Sequence, residues 1–337
     1  MKKILKRFVY SLPAVICIHI PSLLIGTLVY KLTRRTPWIS FWSMRKLYAK
    51  YGHSFLNKFN DFLVSNSAKQ NKCTFGQKSL FSYSKEDVST AVEHLKENGY
   101  SILQQRLPED VISKLTKIAT ESICTVTDGT HSKKAHFSID ATDGTRFDLN
   151  ESDLLRHEIV IQLANDPLFL KIAQGYLGST PVNDMITMWW NKPGKNVDLS
   201  KIAQLYHFDM DRTRWLKFFF YLTDVSMSTG PHSFIKKSHV DKKYSHDGRL
   251  TDEDVYAAYG KANEIIFTGP RGLILAEDTL GLHKGFKLES GYRLLFQLEY
   301  ATNLFGQNYL RISQDDIHPD LKMYSKIYPD IWQRADV

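Results

Sequence analysis

Hydrophobic positions are distributed unevenly along the chain, and the longest uninterrupted apolar stretch lies near its start. From Phe8 to Tyr30 there is no Asp, Glu, Lys or Arg, and basic residues flank this run on both sides. A helix of this length is long enough to cross the hydrocarbon core of a bilayer. Pro13, Pro21 and Gly26 would also suit a kinked or re-entrant segment. The pattern predicts a membrane helix or a membrane-embedded anchor through residues 8–30; the alternative is a buried helix of a soluble fold.

The next residues combine aromatic and basic side chains. The segment Trp38–Tyr51 mixes Trp, Phe, Leu and Tyr with Arg45, Lys46 and Lys50. This composition suits a helix at the level of lipid headgroups, and equally an ordinary surface helix. Positive charge after the apolar run favours a cytoplasmic catalytic domain. We therefore predict a membrane-anchor or membrane-associated segment at residues 1–50, followed by a connecting segment at residues 51–83.

The middle of the chain has the signals of short helices and turns. Ser84 is a good N-cap for a helix that ends at Asn98-Gly99. A strand is predicted over Tyr100–Leu107, and Pro108 starts a second helix that runs towards Cys124. Asp128-Gly129 and Asp143-Gly144 are typical of turns. The stretch from Leu154 to Leu177 carries two helical patterns, which Asp166-Pro167 separates.

From Val182 onward, strand-like runs alternate with loops. Trp215–Leu222 is aromatic and aliphatic, Gly272–Ala276 suits a buried strand, and a further strand is predicted over Tyr292–Tyr300. The chain is thus predicted to be an α+β protein in which N-terminal helices support a β-rich C-terminal half. We place the catalytic domain at residues 84–303 and a C-terminal extension at residues 304–337.

Composition narrows the class of protein. Three scattered cysteines (Cys17, Cys73 and Cys124) form no CxxC pair, which argues against a disulfide-built fold and for a reducing compartment. The net charge of +8 would favour a membrane surface or an anionic substrate. No basic block alternates with stacking aromatic residues in a recognisable module, so nucleic acid is not expected as a partner.

Three His-x-Asp patterns are candidates for a metal pair, because residues i and i+2 of a strand point to the same face. They are His207/Asp209, His239/Asp241 and His318/Asp320. The third has no histidine after it, and the second lies in a polar, lysine-rich segment typical of a loop. The first precedes the predicted strand Trp215–Leu222. We therefore predict that His207 and Asp209 bind a metal while Phe208 packs behind them.

Two residues further along complete a candidate site. His283 follows a turn-rich segment, and Arg293 opens the strand Tyr292–Tyr300, where Arg293, Leu295 and Gln297 share one face. His207, Asp209 and His283 would form a 2-His-1-carboxylate set, which leaves coordination positions free on Fe(II). Arg293 in an apolar strand needs an anionic partner, either a protein acid or the carboxylate of a co-substrate.

Taken in order, these motifs resemble the phytanoyl-CoA dioxygenase family of Fe(II)- and 2-oxoglutarate-dependent oxygenases. The resemblance runs from about Ser84 to Asn303. It is carried by the following segments: Leu95 to Tyr100, Met188 to Gly194, Tyr206 to Asp209, Thr229 to His239, Leu282 to Gly285, and Arg293.

The resemblance implies a double-stranded β-helix (jelly-roll) core, with His207, Asp209 and His283 as iron ligands and Arg293 holding the distal carboxylate of 2-oxoglutarate. It also implies that the protein uses O2 to hydroxylate a C–H bond of a lipid, glycolipid or small metabolite, with release of succinate and CO2. In one place the chain departs from the family. Lys236-Lys237 replace the family's Pro-Gly, which puts the shape of that loop in doubt.

Several alternatives stay open at this point. A cupin-like metal enzyme would not need 2-oxoglutarate, a halogenase would not keep the carboxylate ligand Asp209, and a non-catalytic jelly-roll protein would need none of the four site residues. The polar stretch 236–260 is expected to be a loop at the mouth of the site, either a lid or solvated charge. Trp189, Trp190 and Tyr206 are candidates for pocket lining or for core. Oligomeric state is not encoded in these patterns.

Overall fold

The computed structural model describes residues 9–64, 74–127, 132–141, 144–194, 205–244, 248–313 and 317–335. Nine helices are labelled here: α1 Leu12–Thr33, α2 Trp38–Leu63, α3 Lys85–Asn98, α4 Glu109–Glu121, α5 Glu151–Leu154, α6 Glu158–Ala164, α7 Pro167–Leu177, α8 Asp252–Tyr259 and α9 Pro319–Ile327. The strands are β1 Tyr100–Ile102, β2 Cys124–Thr127, β3 Ser132–Ala135, β4 Arg146–Leu149, β5 Val182–Asn191, β6 Trp215–Tyr221, β7 His232–Ile235, β8 Glu264–Phe267, β9 Ile274–Glu277, β10 His283–Gly285 and β11 Arg293–Ala301.

The apolar N-terminal run forms helix α1, which packs against α2 as a hairpin. Within α1, the turn Val15–His19 is a π-helix, and the helix ends at Arg34 in the left-handed conformation. Among the described residues α1 alone has the length and apolarity of a membrane-crossing helix, with a mean hydropathy of 2.1. Core helices and signal sequences meet the same criteria, so α1 is weak evidence for a membrane span.

Helix α3 begins and ends where its caps predict. The Ser84 hydroxyl accepts from the Asp87 backbone N–H, and the Asp87 carboxylate accepts from the Ser84 N–H in return. Gly99 follows the helix in the left-handed conformation with φ +90°. This reciprocal capping satisfies backbone donors that a helix N-terminus leaves free.

The strand predicted over Tyr100–Leu107 is wrong in length. Of the predicted residues, only the three of β1, Tyr100–Ile102, form a strand, and this strand pairs with β9. Beyond it, Leu103 and Leu107 still donate to the carbonyls of Ile274 and Gly272, but the residues between them leave the sheet. There the Arg106 guanidinium donates to the carbonyls of Leu103 and Gln105, which replaces the missing strand partner. The predicted turns at Asp128-Gly129 and Asp143-Gly144 fall at least partly outside the described residues.

Two antiparallel sheets form the β-rich half. The larger has the order β1-β9-β6-β11-β5-β4-β2-β3, and the smaller has the order β10-β7-β8. The alternating faces of β11 separate two cores. Leu294, Phe296 and Leu298 pack in the main core with residues of helices α3, α4, α6 and α7. Leu295, from the other face, packs with Phe234 and Phe267 of the smaller sheet.

The two sheets therefore face each other, and helices cover the outer face of the larger one. This arrangement confirms the predicted α+β class with a jelly-roll core and supporting N-terminal helices. It also explains why the cavity described below lies between the sheets, since residues of β5, β6, β9, β11, β7 and β10 line it.

The predicted division at residues 50/51 and the C-terminal extension at 304–337 stay predictions. Helix α2 runs across the first boundary and bends at Gly52, whose φ is +65°. Trp332 is fully buried in the main core and donates from its indole N–H to Asn165 Oδ1 at 2.9 Å. The described residues Ile331, Trp332 and Ala335 thus pack in the same core as the sheets.

Candidate metal centre

His207 and His283 are held side by side by their own backbones. The His207 N–H donates to the His283 carbonyl at 3.0 Å, and the His283 N–H donates to the His207 carbonyl at 2.9 Å. Asp209 is tied to the same neighbour segment, because its N–H donates to the Thr279 carbonyl at 2.8 Å. Asp209 itself lies outside any strand, so the predicted strand over His207 and Asp209 is reduced to a bridge at Tyr206 and His207.

The three side chains converge at the wall of the cavity. His207 Nε2 lies 3.8 Å from Asp209 Oδ1, and His283 Nε2 lies 3.6 Å from Asp209 Oδ2. One ligand atom from each residue lies within 4.8 Å of the others. Phe208, between the two, points away and packs on Tyr48, as predicted. The spacing is that of groups able to hold one metal ion, and His207, Asp209 and His283 are called the metal cluster from here on.

Backbone carbonyls fix the orientation of both imidazole rings. His207 Nδ1 lies 3.0 Å from the Leu205 carbonyl, and His283 Nδ1 lies 3.0 Å from the Gly281 carbonyl. A carbonyl only accepts, so each ring carries its proton on Nδ1 and presents the lone pair of Nε2 to the cluster. The sequence gives no indication of these two acceptors.

Electrostatics place the three groups in their ligating forms. Burial lowers the pKa of His207 to about 3, and it also lowers the pKa of His283. Burial alone would raise the pKa of the Asp209 carboxyl, but Lys217, followed by the two histidines, outweighs it and holds that pKa below its usual range. Two neutral imidazoles and one carboxylate are a donor set that suits Fe(II).

Lys217 is a neighbour of this cluster that sequence reasoning missed. It lies on β6 with its side chain 8% exposed, and its Nζ donates to Asp209 Oδ2 at 2.7 Å. Asp211 Oδ2 and Glu299 Oε2 are each 3.3 Å from the same nitrogen. The signal was present in the sequence, since a lysine inside the aromatic run Trp215–Leu222 needs an acidic partner for the same reason as Arg293.

Arg293 lies in the same cavity and has no acidic partner among the described residues. Its Nη1 donates to the Gly230 carbonyl and its Nη2 to Asn191 Oδ1 at 3.0 Å, whereas its Nε has no partner there. Burial lowers the pKa of the guanidinium to about 10, so it stays charged at neutral pH. The sequence left two kinds of partner open for Arg293, a protein acid or the carboxylate of a co-substrate. Within the described part of the chain, no protein acid pairs with it.

The cavity has a volume of about 530 Å³, and its lining combines two chemical kinds of side chain. Apolar ones include Phe219, Leu275 and Leu295, and basic ones include Lys192, Lys217 and Arg293. The guanidinium of Arg146, another lining residue, lies 4.4 Å from the ring of Trp189.

Of the three aromatic residues considered for the pocket, Trp189 alone is among its lining residues. Trp190 faces the main core, where it stacks on Phe137 at 4.3 Å. The Tyr206 hydroxyl donates to Glu264 at 2.5 Å beneath the smaller sheet.

His232 is a second cavity residue that the sequence analysis did not single out. Its Nε2 lies 2.9 Å from Glu277 Oε1, and its ring stacks on His283 with 5.3 Å between centroids. Glu277 is fully buried. His232 and Glu277 lie beside the metal cluster because His232 on β7 is next to His283 on β10, the adjacent strand of the smaller sheet.

The expectation of a polar loop over residues 236–260 holds in part. The described residues 236–244 are turns and irregular backbone, and Lys237, Asp241 and Lys243 are exposed, whereas Asp252–Tyr259 forms α8. His239 is 2% exposed, with Nε2 3.3 Å from the Lys96 carbonyl, because the turn after β7 packs on the C-terminal end of α3. Lys237 adopts a left-handed conformation with φ +64°, so the turn forms although lysine stands where the family has glycine.

Comparison with known proteins agrees with this geometry. The family model described as phytanoyl-CoA dioxygenase (PhyH) matches residues 95–280. This is more than half of the chain, and the protein belongs to the phytanoyl-CoA dioxygenase family, as the resemblance predicted. No curated protein sequence matches the chain closely enough to count as a relative.

Solved structures of similar fold include three proteins of low sequence identity. The non-heme alpha ketoglutarate dependent carbocyclase SnoK from nogalamycin biosynthesis is 16% identical, with a TM-score of 0.46 over 67% of this chain and 86% of that chain. EvdO2 from Micromonospora carbonacea var. aurantiaca is 14% identical, with a TM-score of 0.45 over 72% and 98%. EctD from S. alaskensis with bound Fe is 16% identical, with a TM-score of 0.44 over 69% and 85%. These similarities concern the fold alone.

Family membership and the His-Asp-His cluster together define the class of this protein: it is an iron- and 2-oxoglutarate-dependent dioxygenase.

Proposed function

We propose that this dioxygenase is a hydroxylase in which His207, Asp209 and His283 hold Fe(II) and Arg293 binds the distal carboxylate of 2-oxoglutarate. The observation that carries the proposal is the presence, in one cavity, of two neutral imidazoles beside an ionised carboxylate, and of a buried guanidinium without an acidic partner among the described residues. A carboxylate is the partner that a guanidinium fork accommodates with two parallel hydrogen bonds.

The residues around the site have distinct roles in this proposal. With 2-oxoglutarate and O2, bound iron supplies the oxidising power for a C–H bond, and succinate and CO2 are released. The carbonyls of Leu205 and Gly281 keep the two imidazoles in the ligating tautomer. Lys217 holds the Asp209 carboxylate in place and in its ionised form. Arg293 orients the co-substrate, and the apolar wall formed by Phe219, Leu275 and Leu295 keeps water from the reacting centre.

The cavity also supports a proposal for the class of substrate. Its volume suits a small molecule or one end of a lipid rather than a macromolecule. Apolar side chains adjoin the metal cluster, and the basic Arg146 and Lys192 belong to the same lining. A lipid, glycolipid or small metabolite with an apolar reacting part and a polar or anionic group fits both parts. We place the catalytic domain in the cytoplasm, which the three scattered cysteines without a pairing pattern in the sequence support.

The test is anaerobic addition of Fe(II) and then 2-oxoglutarate to the purified protein, with absorption in the visible range as the readout. Wild type should give the weak charge-transfer band of the iron–2-oxoglutarate chelate. His283→Ala should lose the band because a ligand is missing. Arg293→Ala should keep the band but require roughly ten- to 150-fold more 2-oxoglutarate, since a hydrogen-bonded contact to a charged group contributes about 1.5–3 kcal/mol.

The chain offers matched controls for both variants. His94 is exposed on α3, and Arg271 is exposed and pairs with Glu109. His94→Ala and Arg271→Ala should behave like wild type. Absence of the band in folded, iron-loaded wild type would refute the proposal and favour a cupin-like metal enzyme that does not use 2-oxoglutarate.

A further inference from the structure

Helix α1 presents a continuous apolar stripe to the outside of the molecule. The stripe consists of residues at every fourth position plus one neighbour: Leu12, Ile16, Ile20, Leu24, Ile25, Leu28 and Leu32. Each of these side chains is between 45% and 77% exposed. Positions four apart are neighbours on the surface of a helix with 3.6 residues per turn, so the stripe forms one continuous apolar band that winds gradually around α1. Contiguous exposed apolar surface of this kind marks a contact with a partner or a membrane.

The opposite face of α1 carries polar groups that have their partners inside the protein. His19 is 1% exposed and its Nδ1 lies 3.0 Å from Ser43 Oγ on α2. The Tyr30 hydroxyl accepts from the Leu304 N–H at 2.8 Å. At Gly26, an added Cβ would come within 2.2 Å of Ser40 Oγ, so the two helices are in close contact.

These contacts argue against α1 crossing a bilayer as a separate helix. A spanning helix would have to leave α2 and the catalytic fold. His19 would then lie in hydrocarbon without its Ser43 partner, and only the Val9 carbonyl of its own segment would remain to it, which is unfavourable for a buried imidazole. If α1 stays packed, only its stripe is available to lipid, which is the arrangement of a helix that lies in the plane of the interface.

An apolar groove adjoins the stripe. It lies between α1 and α2, has a volume of about 370 Å³, and is open to the surface. Its lining includes Leu23 and Leu24 of α1 with Leu47, Phe55 and Phe62 of α2. Leu24 belongs to both stripe and groove, so the two form one continuous apolar surface, and the groove suits a hydrocarbon chain from the contacted leaflet.

Charge identifies the kind of surface that this face fits. The first acidic residue of the chain is Asp61, and eleven of its 44 lysines and arginines precede it. The remaining 33 basic residues are outnumbered by the 36 acidic ones, so the net positive charge of the protein resides in this N-terminal part. Lys31, Arg34 and Arg35 are exposed at the end of the stripe, next to Trp38, which is 72% exposed. Basic and aromatic residues around an apolar face favour anionic headgroups.

We infer that α1 and the groove dock in the plane of one leaflet of an anionic bilayer without crossing it. The face holds the catalytic domain at the membrane surface through the apolar stripe, and the basic residues select anionic lipid. This inference does not depend on the reaction catalysed, because none of these residues lines the active-site cavity.

Vesicle flotation with the full chain tests the docking face. The protein should float with vesicles that contain phosphatidylglycerol and bind pure phosphatidylcholine vesicles at least tenfold less. The variant Leu24→Gln/Leu28→Gln/Leu32→Gln should lose at least tenfold in binding to the anionic vesicles. These side chains are exposed, so the variant should keep its fold, which circular dichroism checks.

The matched control replaces three apolar side chains that are exposed elsewhere. Ile123→Gln/Ile139→Gln/Ile327→Gln should bind anionic vesicles like wild type. Equal losses in both triple variants, or no flotation of folded wild type, would overturn the docking face.

A labelling experiment separates in-plane docking from a membrane span. In a Cys17→Ser/Cys73→Ser background, Ser11→Cys and Thr33→Cys are made singly at the two ends of α1. The protein is bound to preformed sealed vesicles and exposed to a membrane-impermeant maleimide. In-plane docking predicts that both cysteines react without detergent. Protection of one of the two until detergent is added would show that α1 crosses the bilayer and overturn the inference.

Discussion

At the scale of single residues, Lys217 decides the electrostatic state of the metal cluster. It is the basic side chain among three carboxylates, those of Asp209, Asp211 and Glu299. These three raise the pKa of Lys217 far above its usual value although burial acts to lower it. The pKa of Glu299, in turn, is raised well above its usual value, chiefly by burial. The lysine therefore compensates charge that would otherwise be buried without a partner.

Lys217→Met should lower the free energy of unfolding of the iron-free protein by about 3–5 kcal/mol, because breaking a buried ion pair leaves a charge uncompensated. Fe(II) should recover part of the loss, since a cation bound by Asp209 restores positive charge to the cluster. Urea unfolding with and without Fe(II) measures both effects. Lys114→Met, which removes an exposed pair with Asp110, should change stability by less than about 0.5 kcal/mol. A similarly small change for Lys217→Met would show that the lysine has no such role.

The residues of the candidate site differ in how far the sequence revealed them. His207, Asp209, His283 and Arg293 were selected because their spacing and their place next to apolar strands are visible locally. For Lys217 the sequence indicates the need for an acidic partner but not that Glu299 is one of them, because Glu299 comes close only across the sheet. His232 carries no local signal, since its role depends on Glu277, which is distant in the sequence. The carbonyls that orient the imidazoles belong to the backbone of Leu205 and Gly281. Every residue has a backbone carbonyl, so the sequence could not indicate these two as acceptors.

At the scale of elements, the turn from α3 into β1 depends on a glycine for two separate reasons. Gly99 has φ +90°, and a Cβ there would lie 2.6 Å from both His239 Nδ1 and Phe234 Cζ. Gly178, which ends α7 with φ +76°, has nothing within 4 Å of the same position. Both helix ends therefore need a left-handed backbone, but only Gly178 has room for a Cβ atom.

This difference predicts unequal costs for the same substitution. Gly178→Ala should lower the free energy of unfolding by about 1–2 kcal/mol, the cost of placing a Cβ in the left-handed region. Gly99→Ala should cost about 1–3 kcal/mol more, because His239 and Phe234 must move. Chemical denaturation of both variants gives the comparison. Equal costs would indicate that the surroundings of Gly99 adjust freely.

Element boundaries were predictable where local chemistry defines them. The Ser84 cap and Gly99 mark both ends of α3, and Asp166-Pro167 separates α6 from α7. The length of β1 was not predictable, because it depends on where β9 stops pairing with it. The burial of His239 depends likewise on contact with α3, which the polar composition around it does not show.

At the scale of the whole molecule, several buried histidines make the fold sensitive to acid. Burial lowers the pKa of His53, His207, His239 and His283. In the unfolded chain these histidines take up protons below about pH 6.5, whereas in the native state they remain neutral to lower pH. The unfolded state then binds more protons, so the free energy of unfolding falls as pH is lowered from about 7 to 5. Raised pKa values of the acids Asp166, Asp211 and Glu299 act in the opposite direction, as three groups against five, since burial also lowers the pKa of His157.

Urea unfolding of the iron-free protein at several pH values between 7 and 5 checks this dependence. The slope should reach at most about 1.4 kcal/mol per pH unit for each histidine. His239→Gln should make the slope shallower, because one of these histidines is removed at a distance from the metal cluster. Stability that stays constant or rises on acidification would contradict the burial of these rings in their neutral form.

The reciprocal backbone hydrogen bonds between His207 and His283 have a consequence for metal exchange. In many small metal-binding domains the ion itself brings distant ligands together, so that removing it unfolds the chain. Here backbone hydrogen bonds and the surrounding core already hold the two histidines together. The entropy lost on closing the loop between them is therefore lost during folding and does not weaken metal binding. Chelator-treated protein should therefore keep its far-UV circular dichroism spectrum and unfold cooperatively. Its unfolding midpoint should fall only by the amount that metal binding to the native state had stabilised it. The site would then be refilled from the available Fe(II) pool without refolding, and occupancy could follow iron supply within the lifetime of one protein molecule.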